Sequence, residues 1–453
     1  MNNKLFKILA VFSMLLCITN LAKAQSSKRG TLSVGAAKIN YTPPQKNLPK
    51  SSYGILDSLY CRAIVIDNKS TEAALVSVDI GALTNDQCSA VIERAQKELG
   101  IPAANIFITA THTHSSIWGM DSKFLTDKIF KSIEEAKSKL QPAKMGYGTG
   151  LSYLNINRNI IDKKTGKWWE GPNYDGVSDK TVYTIFFKNL KDEPIAVYYN
   201  YAMHAVITGN LDMVSADVPG ATSTYIENSY DNKIVALWSE GAAGDQNPKY
   251  FQQTFDLRNI RIKEYAKKGK DISNAMPPGG TGLDRSEPKV AQLMNQQKQM
   301  KLSMGQLLGE EVMHTMREMN RFENNITIKS ANKILTIPGR IQENKGRAGY
   351  KGAYKNGPEV HLKLCLLEID DIALAGINAE IFNEIAIRLK NESPFARTMM
   401  VTLTNGTANS GYVPNDAAFG YQTFEVLSSR CKPGYAENGI INGFLDLMQQ
   451  VKY

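Results

Sequence analysis

Residues 106 to 119 read "IFITATHTHSSIWG", and within them His112 and His114 stand two apart at the end of an apolar run. The chain has only five histidines, so this spacing points to a joint role. Neutral imidazole is the commonest protein ligand for a metal ion. In an extended strand residues i and i+2 face the same side, so both rings are expected to share one pocket. The alternative is a polar strand end, with no metal. His204, in "YYNYAMHAVITGN", ends a second apolar run, and its alternative is a lone structural imidazole. Two strand ends that each present a histidine favour a common site. His314, beside Glu310 and Glu311, reads as a surface residue, and His361 as a structural one.

The carboxylates carry two readings each. Glu380 ends "ALAGINAE" immediately before the helical run "IFNEIAIRLK", where it either caps the helix or supplies an anionic metal ligand. Asp79 lies in the apolar run "SVDIGA". Its burial demands a partner, and it is expected to orient a ligand histidine. "SEGAAGDQNPKY" is a strand leading into a glycine-rich turn. Small residues there let the backbone approach a ligand, and backbone N–H groups can stabilise an oxyanion, although such turns also occur without function.

The elements that position these residues follow from periodicity. "LSVGAAKINYTPP", "LYCRAIVIDN" and "AALVSVDIGAL" read as strands. "NDQCSAVIERAQKELG" reads as a helix capped by Asn85 or Asp86 and stopped at Gly100. A second amphipathic helix, "TDKIFKSIEEAKSKLQP", ends before Pro142. Strands are expected in "VYTIFFKN", "PIAVYYNYAMHAV" and "KIVALWSE", and a helix from "VPGATSTYIENSY". Residues 251 to 290 look irregular, and a long helix follows from Glu287 to Met319. "HLKLCLLEIDDIALAGINAE" predicts a hairpin turning at Asp370 and Asp371. No repeat or linker follows residue 30. The pattern predicts one α+β domain over residues 25–453, with central mixed sheets packed together and covered by helices.

Composition narrows the functional classes. About 21% of the 453 residues are charged and 43% are hydrophobic, as in an ordinary globular chain. Residues 1–24 combine a basic start, the apolar run "ILAVFSMLLCI" and a small-residue cleavage pattern ending at Ala24. That is a secretory signal of bacterial type, so export to the periplasm or beyond is expected. It carries three lysines and no acid, and cleavage lowers the net charge from +9 to +6. The basic residues concentrate in 258–270 and around 340–355. These runs read as solvated loops, or as a weak attraction that allows transient contact with an anionic membrane surface. No nucleic-acid module is present. Cys61, Cys88, Cys365 and Cys431 remain after cleavage, and none forms a CxxC pair, which argues against a cysteine-based zinc site.

Taken together, these pieces resemble the N-terminal catalytic domain of the neutral/alkaline non-lysosomal ceramidases, a family of secreted zinc amidases. "VGAAKINYTPP", "LYCRAIVID" and "SVDIGAL" are similar to its opening strands, and "ITATHTHSS" to its Thr-His-Thr-His-Ser motif. "NINRN", "MHAVITGN", "VSADVPGATSTYIE", "INAE" and "NSGYVP" resemble later segments in the family order. The resemblance implies zinc held by His112, His204, Glu380 and Tyr412. It places His114 beside the metal and Arg158 against substrate or a developing oxyanion. It implies a small-molecule or lipid substrate cleaved at an amide bond by zinc-activated water, with His114 or Asp245 moving the proton. Two features depart from the family. Its catalytic serine turn, Gly-Asp-x-Ser-Pro-Asn, reads "GDQNP" here, so Asn247 stands in the serine's place. An amide is no nucleophile, but it can donate a hydrogen bond to a carbonyl, and Gln246 beside it is a candidate substrate contact. The family's Tyr-Glu-Gly-Ala region reads "FEVLSS" here, and no C-terminal immunoglobulin-like domain is expected. The competing function is an extracytoplasmic binding protein that keeps this fold without catalysis.

Overall fold

The computed structural model describes residues 25–26, 28–117, 119–272, 282–343 and 353–452. The expected signal segment and most of the basic run around 340–355 lie outside the described residues. The described helices are α1 (Asn85–Arg94), α2 (Ser122–Ser138), α3 (Asp217–Ser229), α4 (Gln252–Lys267), α5 (Pro288–Glu318), α6 (Asn383–Glu392), α7 (Phe424–Ser428) and α8 (Ala436–Lys452). None is long and apolar enough to cross a membrane.

Two mixed sheets stack face to face. The larger has eight strands in the spatial order 235–240, 194–201, 181–189, 141–151, 33–40, 60–67, 72–78 and 106–110. The smaller has five, with 328–342, 354–369, 372–377 and 397–401 beside the short 25–26 strand. Alternation explains the stacking. Ile64 and Ile66 face the smaller sheet, where they meet Leu367, Leu374 and Met399. Their neighbours Ala63 and Val65 face α1 and α2. In the smaller sheet Cys365 and Leu367 point inward, and Leu364 and Leu366 point to α6 and α8. Helices α3 and α5 cover the other half of the larger sheet. The result is a helix–sheet–sheet–helix stack, the α+β architecture expected, and strands buried on both faces read as continuous apolar runs.

Most sequence-predicted elements form, including the Asp370–Asp371 hairpin and the long α5. Two details differ. Helix α1 is capped by Thr84 rather than Asn85 or Asp86: its hydroxyl accepts from Gln87 N, and the Gln87 side chain reciprocates. Residues 252–267, expected to be irregular, form α4. Among the described residues, Cys61, Cys88, Cys365 and Cys431 are buried and free.

The larger sheet curls until its two edge strands, 106–110 and 235–240, lie against each other. A segment from the C-terminal half bridges that seam. Thr402 N donates to Glu240 O at 2.9 Å, and Asn405 N donates to Ile108 O at 2.8 Å. The Asn405 side chain accepts from Ile108 N at 2.8 Å. At each edge the outermost strand pair is parallel, 72–78 with 106–110 and 194–201 with 235–240. Each pair therefore finishes at one end of the sheet, and the loops that leave it meet there.

Candidate metal centre

The loops leaving the two parallel pairs carry the histidines. His112 follows the 106–110 strand, and its Nδ1 donates to Gly81 O, at 2.7 Å, in the loop after the neighbouring strand. His204 follows the 194–201 strand, and its Nδ1 donates to Ala243 O, at 2.6 Å, again in the loop after the neighbouring strand. A carbonyl only accepts, so each Nδ1 carries hydrogen and each Nε2 is left to face the centre. The same arrangement is thus built twice, once at each sheet edge.

The strand-face argument for His112 and His114 does not hold. The strand stops at Ala110, and His112 has φ 61°, in the left-handed region. That conformation is sparsely populated for a residue with a side chain and is found where function or packing imposes it. The turn, rather than strand pleating, brings the two rings to a centroid distance of 4.9 Å. The surrounding hydroxyls do not bond the imidazoles either. Thr113 donates to Ser215 O, Ser115 pairs with Thr208, and Ser116 accepts from Gly81 N. They pin the loop that presents the rings. Asp79, expected to orient a histidine, instead accepts from Arg62 at 3.1 Å and from Tyr60 N at 2.8 Å.

Glu380 and Tyr412 arrive together. A two-stranded parallel ladder pairs Glu380 with Tyr412 in register, so both side chains leave the same face. Glu380 is thus a strand residue ahead of α6, and Phe382 occupies the helix cap. The adjacent turn needs a glycine. Gly244 N donates to Ile381 O at 2.8 Å, and a Cβ at Gly244 would sit 2.9 Å from the Ile381 backbone. Glu380 Oε2 then lies 3.1 Å from His112 Nε2 and 3.2 Å from His204 Nε2. The Tyr412 hydroxyl is 3.5 Å from His204 Nε2. The ring nitrogens of His112, His114 and His204 fall within 4.8 Å of one another.

The electrostatics fit a cation at that point. Burial lowers the pKa of His112, but Glu380 outweighs it and raises it above the ordinary value. Burial raises the Glu380 carboxyl, yet the adjoining His112 holds it well below the usual range. Burial and then Arg158 push His204 down to about 4, so at neutral pH its bare Nε2 lone pair faces a carboxylate oxygen. Two acceptors at 3.2 Å repel unless a cation lies between them. His112, His204, Glu380 and Tyr412 present nitrogen and oxygen donors of the kind that hold a divalent metal ion. His114 turns an exposed face to the cavity. Burial of its inner side, and then the neighbouring His112 and His204, hold its pKa well below the ordinary value.

Arg158 is built in beside this set. Its Nε donates to Glu425 Oε1 at 2.5 Å, its Nη2 to Gly244 O at 2.8 Å and its Nη1 to Asn247 Oδ1 at 3.3 Å. The guanidinium lies over the Tyr412 ring at 5.6 Å. Asn247 also donates from Nδ2 to Glu170 Oε1 at 3.1 Å, so it ties Arg158 to Glu170. His114, Arg158, Asn247, Glu170 and Tyr412 line a cavity of about 710 Å³ above the imidazoles. Asp245 and Gln246 do not line it. Asp245 accepts from Asn383 N and Asn157 Nδ2, both at 2.9 Å, and Gln246 donates to Val177 O. These bonds give Asp245 a framework role instead of proton transfer. They leave Gln246 in contact with the site through its backbone, whose carbonyl accepts from His204 N. Sequence reasoning missed Glu425, Glu170 and α4, which forms one wall. The one available signal was the acid in "FEVLSS", two residues after the Thr423 cap position.

Over residues 45–339, well over half its length, the chain matches the family model described as neutral/alkaline non-lysosomal ceramidase, N-terminal. It is 26% identical over 254 residues to the neutral ceramidase of Pseudomonas aeruginosa, covering 49% of this chain and 38% of that protein. It is 24% identical over 254 residues to the neutral ceramidase of Drosophila pseudoobscura pseudoobscura, covering 48% and 36%. The chain therefore spans well under half the length of the curated relatives it matches. In three dimensions it is similar to the structure titled "Ceramidase complexed with C2", with a TM-score of 0.67 and 15% identity over 93% of this chain and 75% of that one. The crystal structure of neutral ceramidase from Pseudomonas aeruginosa gives a TM-score of 0.67 and 16% identity over 93% and 74%. Glu380, Tyr412 and Glu425 lie beyond the matched segment, so the fold and the site geometry, rather than the family model, tie them to the histidines. On the strength of that match, the chain belongs to the neutral/alkaline non-lysosomal ceramidase family, represented by its N-terminal domain.

Proposed function

We propose that this protein is an exported zinc-dependent hydrolase that cleaves an amide bond in an N-acyl lipid or related amide without a serine nucleophile. The observation that carries the proposal is the convergence of His112 Nε2, His204 Nε2, Glu380 Oε2 and the Tyr412 hydroxyl on one point. The backbone carbonyls of Gly81 and Ala243 aim both imidazoles there. Zinc bound by these groups would supply Lewis acidity, lowering the pKa of a water and polarising a carbonyl.

The remaining chemistry belongs to side chains around the cavity. Arg158 keeps its charge at any relevant pH, and Glu425, Gly244 and Asn247 fix its orientation. A fixed guanidinium aimed at the cavity stabilises negative charge that develops on a carbonyl oxygen. His114, exposed to the cavity and next to His112, is the group that can take or return a proton. Asn247 replaces a hydroxyl nucleophile with a positioning amide, which favours direct attack by water over a covalent acyl-enzyme.

The test is hydrolysis by zinc-loaded protein of a panel of N-acyl amides and esters that includes a fluorescent ceramide. Turnover lost in His204→Ala and reduced about 100-fold in kcat by Arg158→Met supports the proposal. No turnover of any panel member by fully loaded protein would overturn it and favour the binding-protein alternative.

A further inference from the structure

Next to His114, Ser115 begins a chain of hydrogen bonds that runs from the cavity into the core. Ser115 Oγ lies 2.8 Å from Thr208 Oγ1, and Thr208 Oγ1 lies 2.6 Å from Asp217 Oδ2. Thr208 and Asp217 are fully buried, and Ser115 lines the cavity beside His114 with 7% of its surface exposed. None of the three takes part in the chemistry assigned to Arg158 and His114.

The direction of the chain follows from its inner end. Asp217 opens α3 with φ 53°, in the left-handed region, and its N–H donates to Ser215 Oγ at 3.0 Å. Its Oδ1 accepts from Val218 N at 2.7 Å, and its Oδ2 accepts from Thr208 N at 2.8 Å. Burial raises the Asp217 carboxyl, and the Thr208 and Val218 donors oppose that shift. Amide donors on both oxygens, at the first turn of a helix, favour the anion. A carboxylate only accepts, so Thr208 gives its one hydroxyl proton to Asp217. Thr208 Oγ1 can then only accept from Ser115, which gives its own proton inward. Among the described residues no other group bonds Ser115 Oγ, so its lone pairs are left for a donor that enters the cavity. Successive hydrogen bonds polarise one another, which makes that oxygen a better acceptor than an isolated hydroxyl. The same cavity carries the apolar side chains of Ile117, Val206 and Val214. A buried donor that meets an acceptor in such surroundings is satisfied, and one that meets hydrocarbon has lost its hydration without return.

We propose that Ser115 Oγ accepts a hydrogen bond from the substrate, either from the scissile amide N–H or from a hydroxyl on its amine side, and so makes the site select amides that carry such a donor. This rests on the hydrolase reading above and names a recognition contact within it. An N-methyl amide without a hydroxyl offers nothing to that oxygen.

The test uses the zinc-loaded full chain and the octanoyl amides of ethanolamine, propylamine, N-methylethanolamine and N-methylpropylamine. The first carries both donors, the second only N–H, the third only O–H and the last neither. The measured quantity is the ratio of kcat/KM between a donor-bearing amide and the amide with neither. Ser115→Ala should lower that ratio at least fivefold, chiefly through KM, as expected for one lost hydrogen bond. A fall in the propylamine arm identifies the N–H as the donor, and a fall in the N-methylethanolamine arm identifies the hydroxyl. Thr208→Val keeps the shape but breaks the chain and should lower the same ratio, whereas Thr208→Ser should keep it. Ratios untouched by Ser115→Ala would overturn the proposal. So would equal losses on all four amides together with weakened zinc binding, since a hydroxyl that only pins the loop behaves that way. If nothing is hydrolysed, the hydrolase reading fails, and calorimetric binding of the same amides still decides the contact. Tighter binding of a donor-bearing amide that is lost in Ser115→Ala supports it, and equal affinities refute it.

Discussion

Glu425 offers a sharp test of how the site is held, because sequence reasoning assigned it no role. Its carboxylate is fully buried and sits 2.5 Å from Arg158 Nε. Glu425→Gln keeps the shape and one acceptor oxygen but removes the counter-charge. The guanidinium then loses its nearest counter-charge and keeps the neutral acceptors Gly244 O at 2.8 Å and Asn247 Oδ1 at 3.3 Å, with Tyr412 and the carboxylate of Glu170 also acting on it. Hydrogen bonds to charged groups contribute about 1.5–3 kcal/mol, so the substitution should cost about 2 kcal/mol. Arg158→Met leaves a carboxylate buried without a cation and should cost about 3–5 kcal/mol. The double variant removes both charges, and its loss should fall short of the sum by about 2 kcal/mol. Urea unfolding at pH 7.5, with coincident circular dichroism and fluorescence transitions, reads all four corners of the cycle. Additivity within about 0.5 kcal/mol would refute the reasoning, since uncoupled residues show that behaviour.

Glu368 should give a pH signature. It is buried near Asp370 and Asp371 with Lys329 at 3.8 Å, and burial raises its carboxyl from 4.5 to about 7. The folded state then holds a proton that the unfolded state releases, so stability falls as pH rises from about 4.5 to about 7, by up to about 3 kcal/mol. Glu368→Gln should flatten that slope and be the more stable form at pH 8; parallel curves for the two proteins contradict this. Gly35 lies where the 33–40 strand meets α2, and a Cβ there would stand 2.1 Å from the Ala136 carbonyl oxygen. Gly35→Ala should cost about 3 kcal/mol in the same urea assay, and a loss under about 0.5 kcal/mol would show that the contact relaxes freely.

The legible part of this protein is the part written in local patterns. Double-faced apolar runs at 60–67 and 72–78 fixed the sheet, and Gly100 and Pro142 marked the helix ends. His112 and His204 were legible because rare residues ended apolar runs. Their mechanism of convergence was not, since it depends on a left-handed turn at His112 and on carbonyls in the loops that follow the neighbouring strands. Helix α4 was invisible for a physical reason: among its residues only Leu257 and Arg261 are buried, so it has no apolar stripe to read. Its basic run looked like a solvated loop and instead forms a cavity wall. Asp79 was expected to serve a histidine because nothing local reveals Arg62, which bonds both Asp79 and Glu227. Partners 165 residues apart leave no trace in periodicity.

The proposed function requires His112, His204, Glu380 and Tyr412 to hold one zinc ion. Its most direct measurement is metal content by mass spectrometry, with chelator-competition affinity, on the purified chain from Gln25 onward. One zinc per chain is expected at pH 7.5, with at least a 100-fold loss of affinity in His112→Ala, His204→Ala and Glu380→Ala. A wild-type protein that binds no metal stoichiometrically, or variants that bind it as tightly as wild type, would contradict it.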